Sequence, residues 1–183
     1  MTPFDYVSVI LSVVVSLAFT HLLTGVVRLI QVRHVRFSFV YAGWIGLLLF
    51  WCVDYWFSVW QLHKADVWTL GFVVFLLLLA TTLYVACGLA IPHATGSSDS
   101  VDLEAFHDTN RQRYLGALFA YHGLSIFGNL AIAPLESAAF VSVAELAIIA
   151  VAWTWADRRI QMVAMIAMWL LNIWYAYKFI PEL

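Results

Sequence analysis

A chain of 183 residues in which 64% of side chains are hydrophobic and only 11% are charged is not a soluble globular domain, where about a quarter of residues are charged. Its mean hydropathy of +0.90 points instead to a lipid bilayer as its solvent and partner. A net charge of −2, with no polybasic run, gives no reason to expect nucleic acid as a partner.

The N-terminus reads Met1-Thr2-Pro3-Phe4-Asp5 and lacks the positive n-region of a secretory signal. The first apolar run is therefore expected to be retained as a transmembrane helix over about 5–29, broken only by His21. Ser8, Ser12, Ser16, Thr20 and Thr24 recur along it at every fourth position, a stripe of small residues that lets another helix approach closely.

Five further helices are expected. A hydrocarbon core takes about 20 helical residues to cross. The second helix covers about 39–62, and the third about 67–91, with Pro92 as its stop. The fourth covers about 101–133, with a cytoplasmic start and a stop at Pro134. Ser100 is expected to cap it, with Asp102 and Glu104 at the positive end of its dipole and an i,i+3 ion pair from Asp108 to Arg111. The fifth runs over about 137–156 and the sixth over about 160–180, before Pro181. The fold class is all-α, a polytopic integral membrane protein with a six-transmembrane-helix bundle forming a single domain over 1–183.

Basic residues set the orientation. Arg28, Arg33, Arg36, Arg111, Arg113, Arg158 and Arg159 fall on one side of this layout, and Lys64 and Lys178 on the other. Short cytoplasmic loops carry the positive excess, so both termini are expected on the non-cytoplasmic side of a bacterial-type inner (cytoplasmic) membrane. Trp60, Trp68, Trp174 and Tyr177 would form the outer aromatic belt, and Tyr41, Trp44, Trp153 and Trp155 the inner one. Cys52 and Cys87 lie in apolar segments and are expected to pack as small hydrophobes, since two isolated cysteines make neither a disulfide framework nor a zinc site.

Ionisable residues within hydrocarbon are costly and mark functional positions. Depth counted from each segment's midpoint gives an outer layer of Asp54, Glu145, Asn129 and Asn172, and an inner layer of His21 and His122 with Thr24. No Lys or Arg lies in either layer. Carboxylates and imidazoles so placed suit a proton relay or the passage of a cation or small neutral solute, whereas anion selectivity would recruit Lys or Arg. The expected function is a small channel or transporter. The six-helix layout on a short chain resembles that of small channel-forming families such as the acid-gated urea channels, a likeness of layout that carries over no motif residue. Chains this small often build a pore by oligomerising, so a homo-oligomer or membrane complex is expected, with the small-residue stripe of the first helix as a possible interface.

Two alternatives stand beside it. His21 and His122 would serve as axial ligands of a haem held between helices one and four. The polar residues would otherwise lock the packing of a non-catalytic accessory or assembly subunit. Catalysis is less expected, because the chain has no nucleophile elbow, no HExxH and no carboxylate-rich metal cluster.

Overall fold

The computed structural model describes residues 3–64, 68–92, 100–132 and 137–179. They form six helices: α1 (Pro3–Gln31), α2 (Phe39–Gln61), α3 (Leu70–Ala90), α4 (Leu103–Ile132), α5 (Ser137–Thr154) and α6 (Arg158–Phe179). A 3-10 turn, Leu62–Lys64, follows α2, and two three-residue strands, β1 (His34–Arg36) and β2 (Ser100–Asp102), lie in the connections. The architecture is all-α. By length and composition, α1, α2, α3 and α6 are apolar enough to cross a membrane, and α5 carries a shorter apolar stretch, Phe140–Thr154. The expected helix start at Val67 and the stops at Pro134 and Pro181 lie outside the described residues.

Local chemistry sets the helix ends. Pro3 opens α1, where a missing N–H costs nothing. Ser38 and Thr69 cap α2 and α3 by accepting the N–H of Tyr41 and Phe72. Asp157 accepts the N–H groups of Arg159 and Ile160, which starts α6 two residues before the expected Ile160. The α4 cap differs from expectation. Asp102 Oδ1 accepts from Glu104 and Ala105 at 2.9 and 3.0 Å, because Ser100 is drawn into β2 beside His34 and Asp caps at least as well as Ser.

The most enclosed helix is α2. It touches α1, α3, α4 and α6, while α3 packs against both α1 and α4, α4 against α5, and α5 against α6. Its core face carries Tyr41, Trp44, Leu48, Trp51 and Tyr55, all buried. Tyr41 and Trp44, expected in the inner aromatic belt, are therefore core residues, 2% and 0% exposed, and the Tyr41 hydroxyl donates to the Ala90 carbonyl at 2.9 Å. A helix surrounded by four others has little outward face to give to a belt. Cys52 and Cys87 pack α2 against α3 as free thiols, with Sγ atoms 3.8 Å apart.

Two glycines bring α6 onto α2. A Cβ at Gly43 would lie 2.5 Å from Met165 Sδ, and one at Gly46 would lie 2.8 Å from Trp169 Cζ2. Trp169 Nε1 donates to the Gly43 carbonyl at 3.1 Å, so the indole is held against the bare backbone that admits it. Val9, Val13 and Leu17 on α1, and Val163, Leu170 and Ile173 on α6, are exposed. Large apolar side chains thus face outward as well as inward.

Three connections meet at one end. Parallel pairing of His34, Val35 and Arg36 with Ser100, Val101 and Asp102 sets the α1–α2 and α3–α4 links side by side. Arg36 bonds Asp102 at 3.0 Å and lies 3.4 Å from Glu104, which also holds Arg158 at 3.0 Å. At the opposite end Phe4 meets Trp60 edge-on at 6.2 Å and Trp68 at 6.0 Å.

Candidate functional site: a buried histidine–carboxylate cluster

His122 Nδ1 and Glu145 Oε2 lie 3.3 Å apart, their side chains 4% and 10% exposed. His122 sits about two thirds of the way along α4 and Glu145 midway along α5, two helices that pack directly. The indole of Trp51 on α2 stands edge-on to the imidazole at 4.7 Å, and the Tyr121 ring flanks it at 5.1 Å. Trp51 and Asp54 are three residues apart, which places them on one face of α2. Asp54 interacts electrostatically with Glu145, and Tyr121 with both carboxylates. From α6, Tyr175 interacts with the same two. Polar groups from α2, α4, α5 and α6 therefore converge on one region of an otherwise apolar interior.

Neither carboxylate has a Lys or Arg ion-pair partner among the described residues. Buried charge without a fixed cation is expensive, so hydrogen bonding and shared protons are how such groups are accommodated. The imidazole is engaged on one side only: Nδ1 faces Glu145, while Nε2 is buried with no hydrogen-bond partner among the described residues. Trp51 Nε1 is unpartnered in the same way. An imidazole with a carboxylate at one nitrogen and a free second nitrogen is able to take a proton on one side and release it on the other.

The expected site residues separate. Asp54, His122 and Glu145 come together. His122 and Glu145, assigned to different layers from the sequence, are in contact, because counting depth from segment midpoints treats each helix as upright and the two layers differ by only about one helical turn, which side chains span. Asn172 is 1% exposed and donates to the Met168 carbonyl at 2.9 Å, a bond within its own helix, and is three residues from Tyr175 on the same face of α6. His21 stands on α1, partly buried, with Nε2 buried and unpartnered. A haem held by His21 and His122 would need an Nε2 atom of each on opposite sides of one iron, and both Nε2 atoms are buried without a hydrogen-bond partner among the described residues. Asn129 lies on the last turns of α4, outside the residues whose side chains are described. Among the described residues no three His, Cys, Asp or Glu side chains group as a metal site.

Sequence reasoning missed Trp51, Tyr121 and Tyr175. Each was marked by spacing: Trp51 lies one turn from Asp54, Tyr121 beside His122, and Tyr175 one turn from Asn172.

A second polar cluster, at the arginine-rich end, is structural. Arg111 Nη1 donates to the carbonyls of Ala152, Trp153 and Trp155 at 3.1, 3.0 and 3.2 Å. These belong to the last turn of α5 and the residue beyond it, where carbonyls have no partner within the helix. Gln161 Nε2 donates to Ala152 and Trp155 at 2.5 and 2.6 Å, which fixes the amide so that Oε1 accepts from His107 Nε2 at 3.2 Å. His107 Nδ1 then accepts from the Tyr114 hydroxyl at 2.6 Å, a pattern that only the neutral imidazole satisfies. Burial also pushes the His107 pKa below its ordinary value. Because Arg111 is turned onto these carbonyls, the expected Asp108–Arg111 ion pair does not form, and Asp108 is exposed.

No known protein family matches this chain, and neither does any curated protein or solved structure.

Proposed function

We propose that the chain crosses a cytoplasmic-type membrane with six helices, both termini outside, and passes protons, cations or a small neutral solute. The observation that carries this reading is the buried His122–Glu145 pair with Asp54 in electrostatic range, in a bundle whose outer surface is also apolar. An accessory role needs only packing, and apolar side chains would supply it at lower cost than two carboxylates. In this reading Asp54 and Glu145 hold the mobile proton or cation, and His122 shuttles between Nδ1 and Nε2. Asn172 and Asn129 supply neutral polar contacts, and His21 is a second imidazole on α1. The end that carries the seven arginines faces the cytoplasm. Assembly into a homo-oligomer belongs to the same proposal.

The test is passage into liposomes, followed with an entrapped pH dye and by solute-driven swelling. Asp54→Asn and Glu145→Gln each lower passage at least tenfold while the protein elutes and melts as a folded species. Unchanged passage in both variants would sink the proposal. Orientation is read by labelling Arg33→Cys and Lys64→Cys with an impermeant maleimide, where only the Lys64 position reacts from outside intact cells.

A further inference from the structure

Outside the cluster, α5 and α6 leave an open groove of about 410 Å³ between them. Ala147 and Val151 on α5 and Val163, Ala164 and Ala167 on α6 line it, with Arg159 at its end nearest the α5–α6 turn. Its walls are hydrocarbon and its floor is made of small residues. From Arg159 to Ala167 the groove runs about 12 Å along α6, inward from the arginine-rich end.

The arginine differs from its neighbours in having no acidic partner. Arg158 is held by Glu104 at 3.0 Å, and the Asp157 carboxylate is engaged by the first N–H groups of α6. The Arg159 guanidinium makes no ion pair among the described residues. A single unpaired cation at the mouth of an apolar groove is complementary to a molecule with one anionic head and a hydrocarbon tail.

We propose that this groove binds an anionic phospholipid of the inner leaflet, its phosphate on the Arg159 guanidinium and one acyl chain laid between α5 and α6 along Ala147, Ala164 and Ala167. The proposal rests on the membrane-spanning reading but not on solute passage. Arg159 supplies the preference for an anionic head, because a basic side chain at the headgroup level attracts anionic lipid over a neutral one. The alanines supply room for the chain, which larger residues would fill.

The test uses the full-length protein, purified in detergent, delipidated and then titrated with phosphatidylglycerol or phosphatidylcholine of identical chains, with bound lipid counted by native mass spectrometry. The wild type retains phosphatidylglycerol about fivefold more tightly than phosphatidylcholine. Arg159→Gln brings the two within twofold, while Arg113→Gln, at an exposed arginine outside the groove, leaves the preference intact. Ala147→Phe, at an exposed position, weakens both lipids together by filling the channel. Equal binding of both lipids by the wild type, or equal loss in the two arginine variants, would overturn the site in favour of a diffuse basic rim. If Arg159→Gln does not fold, retention of the tightly held lipid by Ala147→Phe overturns it independently. Protein that fails to enter bilayers at all refutes the membrane reading instead, and reconstitution precedes the titration so that the two failures are distinct.

Discussion

His122 and Glu145, 23 positions apart in sequence and on neighbouring helices, meet at 3.3 Å in the interior of the bundle. Each is the other's polar partner, so removing one leaves a buried polar group unsatisfied. Glu145→Leu is expected to destabilise the protein by about 1–3 kcal/mol. Glu145→Gln, which retains a hydrogen-bonding group toward Nδ1, is expected to cost less than about 1 kcal/mol. Denaturation of the detergent-solubilised protein, followed by tryptophan fluorescence, checks the order, and a Gln variant as unstable as the Leu variant contradicts it.

Arg111 fastens the α5–α6 turn through three carbonyls at once. Its three carbonyl acceptors lose a charged donor together in Arg111→Ala, and the expected loss is about 2–4 kcal/mol. Amide hydrogen exchange should accelerate at residues 155–162 before it changes in α2. Arg111→Lys restores the charge but not the fork of donors, and should recover less than half of the loss.

His107 makes this fastening pH-dependent. Its folded-state pKa is depressed by burial, with the nearby Arg111 charge acting the same way, while the Gln161 bond and Asp108 oppose the shift. Tyr114 completes its surroundings. The unfolded chain therefore takes up the proton first, at an ordinary value of 6.5. Stability contributed by the neutral imidazole is complete above that value and is lost as pH falls below it, toward the depressed folded value. Asp102, whose carboxyl is held below the usual range by the Ala105 N–H and by Arg36, loses its contribution only at more acidic pH. The melting temperature should fall between pH 6.5 and 5, and His107→Gln should flatten that part of the profile. A profile that keeps the same slope in the variant assigns the effect elsewhere.

Gly43 and Gly46 should differ in their tolerance of a methyl group. The contact waiting at position 43 is the flexible end of Met165, which is able to turn aside, whereas at position 46 it is the Trp169 ring, tethered by its bond to the Gly43 carbonyl. Gly46→Ala is expected to cost about 1–3 kcal/mol, and Gly43→Ala less. Double substitution with Trp169→Phe should relieve part of the Gly46→Ala penalty, measured by thermal unfolding in detergent.

The helices were largely legible because each apolar run is long and because Pro92 stops the third, whereas the Thr69 cap, which starts α3 at Leu70 rather than near 67, went unread. What the chain could not declare was which faces turn inward. Asp54 and Glu145 stood out as charges in apolar runs, but their meeting with His122 depends on helix order and tilt, which no single helix encodes. Tyr41 and Trp44 read as interfacial aromatics because nothing in their segment reveals that α2 is central. Arg111 read as one more cytoplasmic charge. Its burial was signalled only by spacing, since Leu103, His107, Arg111, Tyr114 and Leu118, all buried, share one face of α4 at the helical repeat. Polar residues on that face had to find acceptors, and the open end of α5 supplies them.

Pairing of β1 with β2 also joins segments that are synthesised at different times. When α1 and α2 have left the ribosome, neither of the acidic partners that Arg36 has among the described residues has yet been made. Both of its carboxylates, Asp102 and Glu104, arrive only after α3 has been made. Glu104 in turn waits for Arg158 at the start of α6. Each late segment thus closes a link left open by an early one, and the last helix completes a chain of ion pairs begun by the first connection. A nascent chain that stalls before Ser100 is left with an unpaired β1 edge and an unmatched arginine, so incomplete products differ from the finished protein in surface chemistry as well as in length.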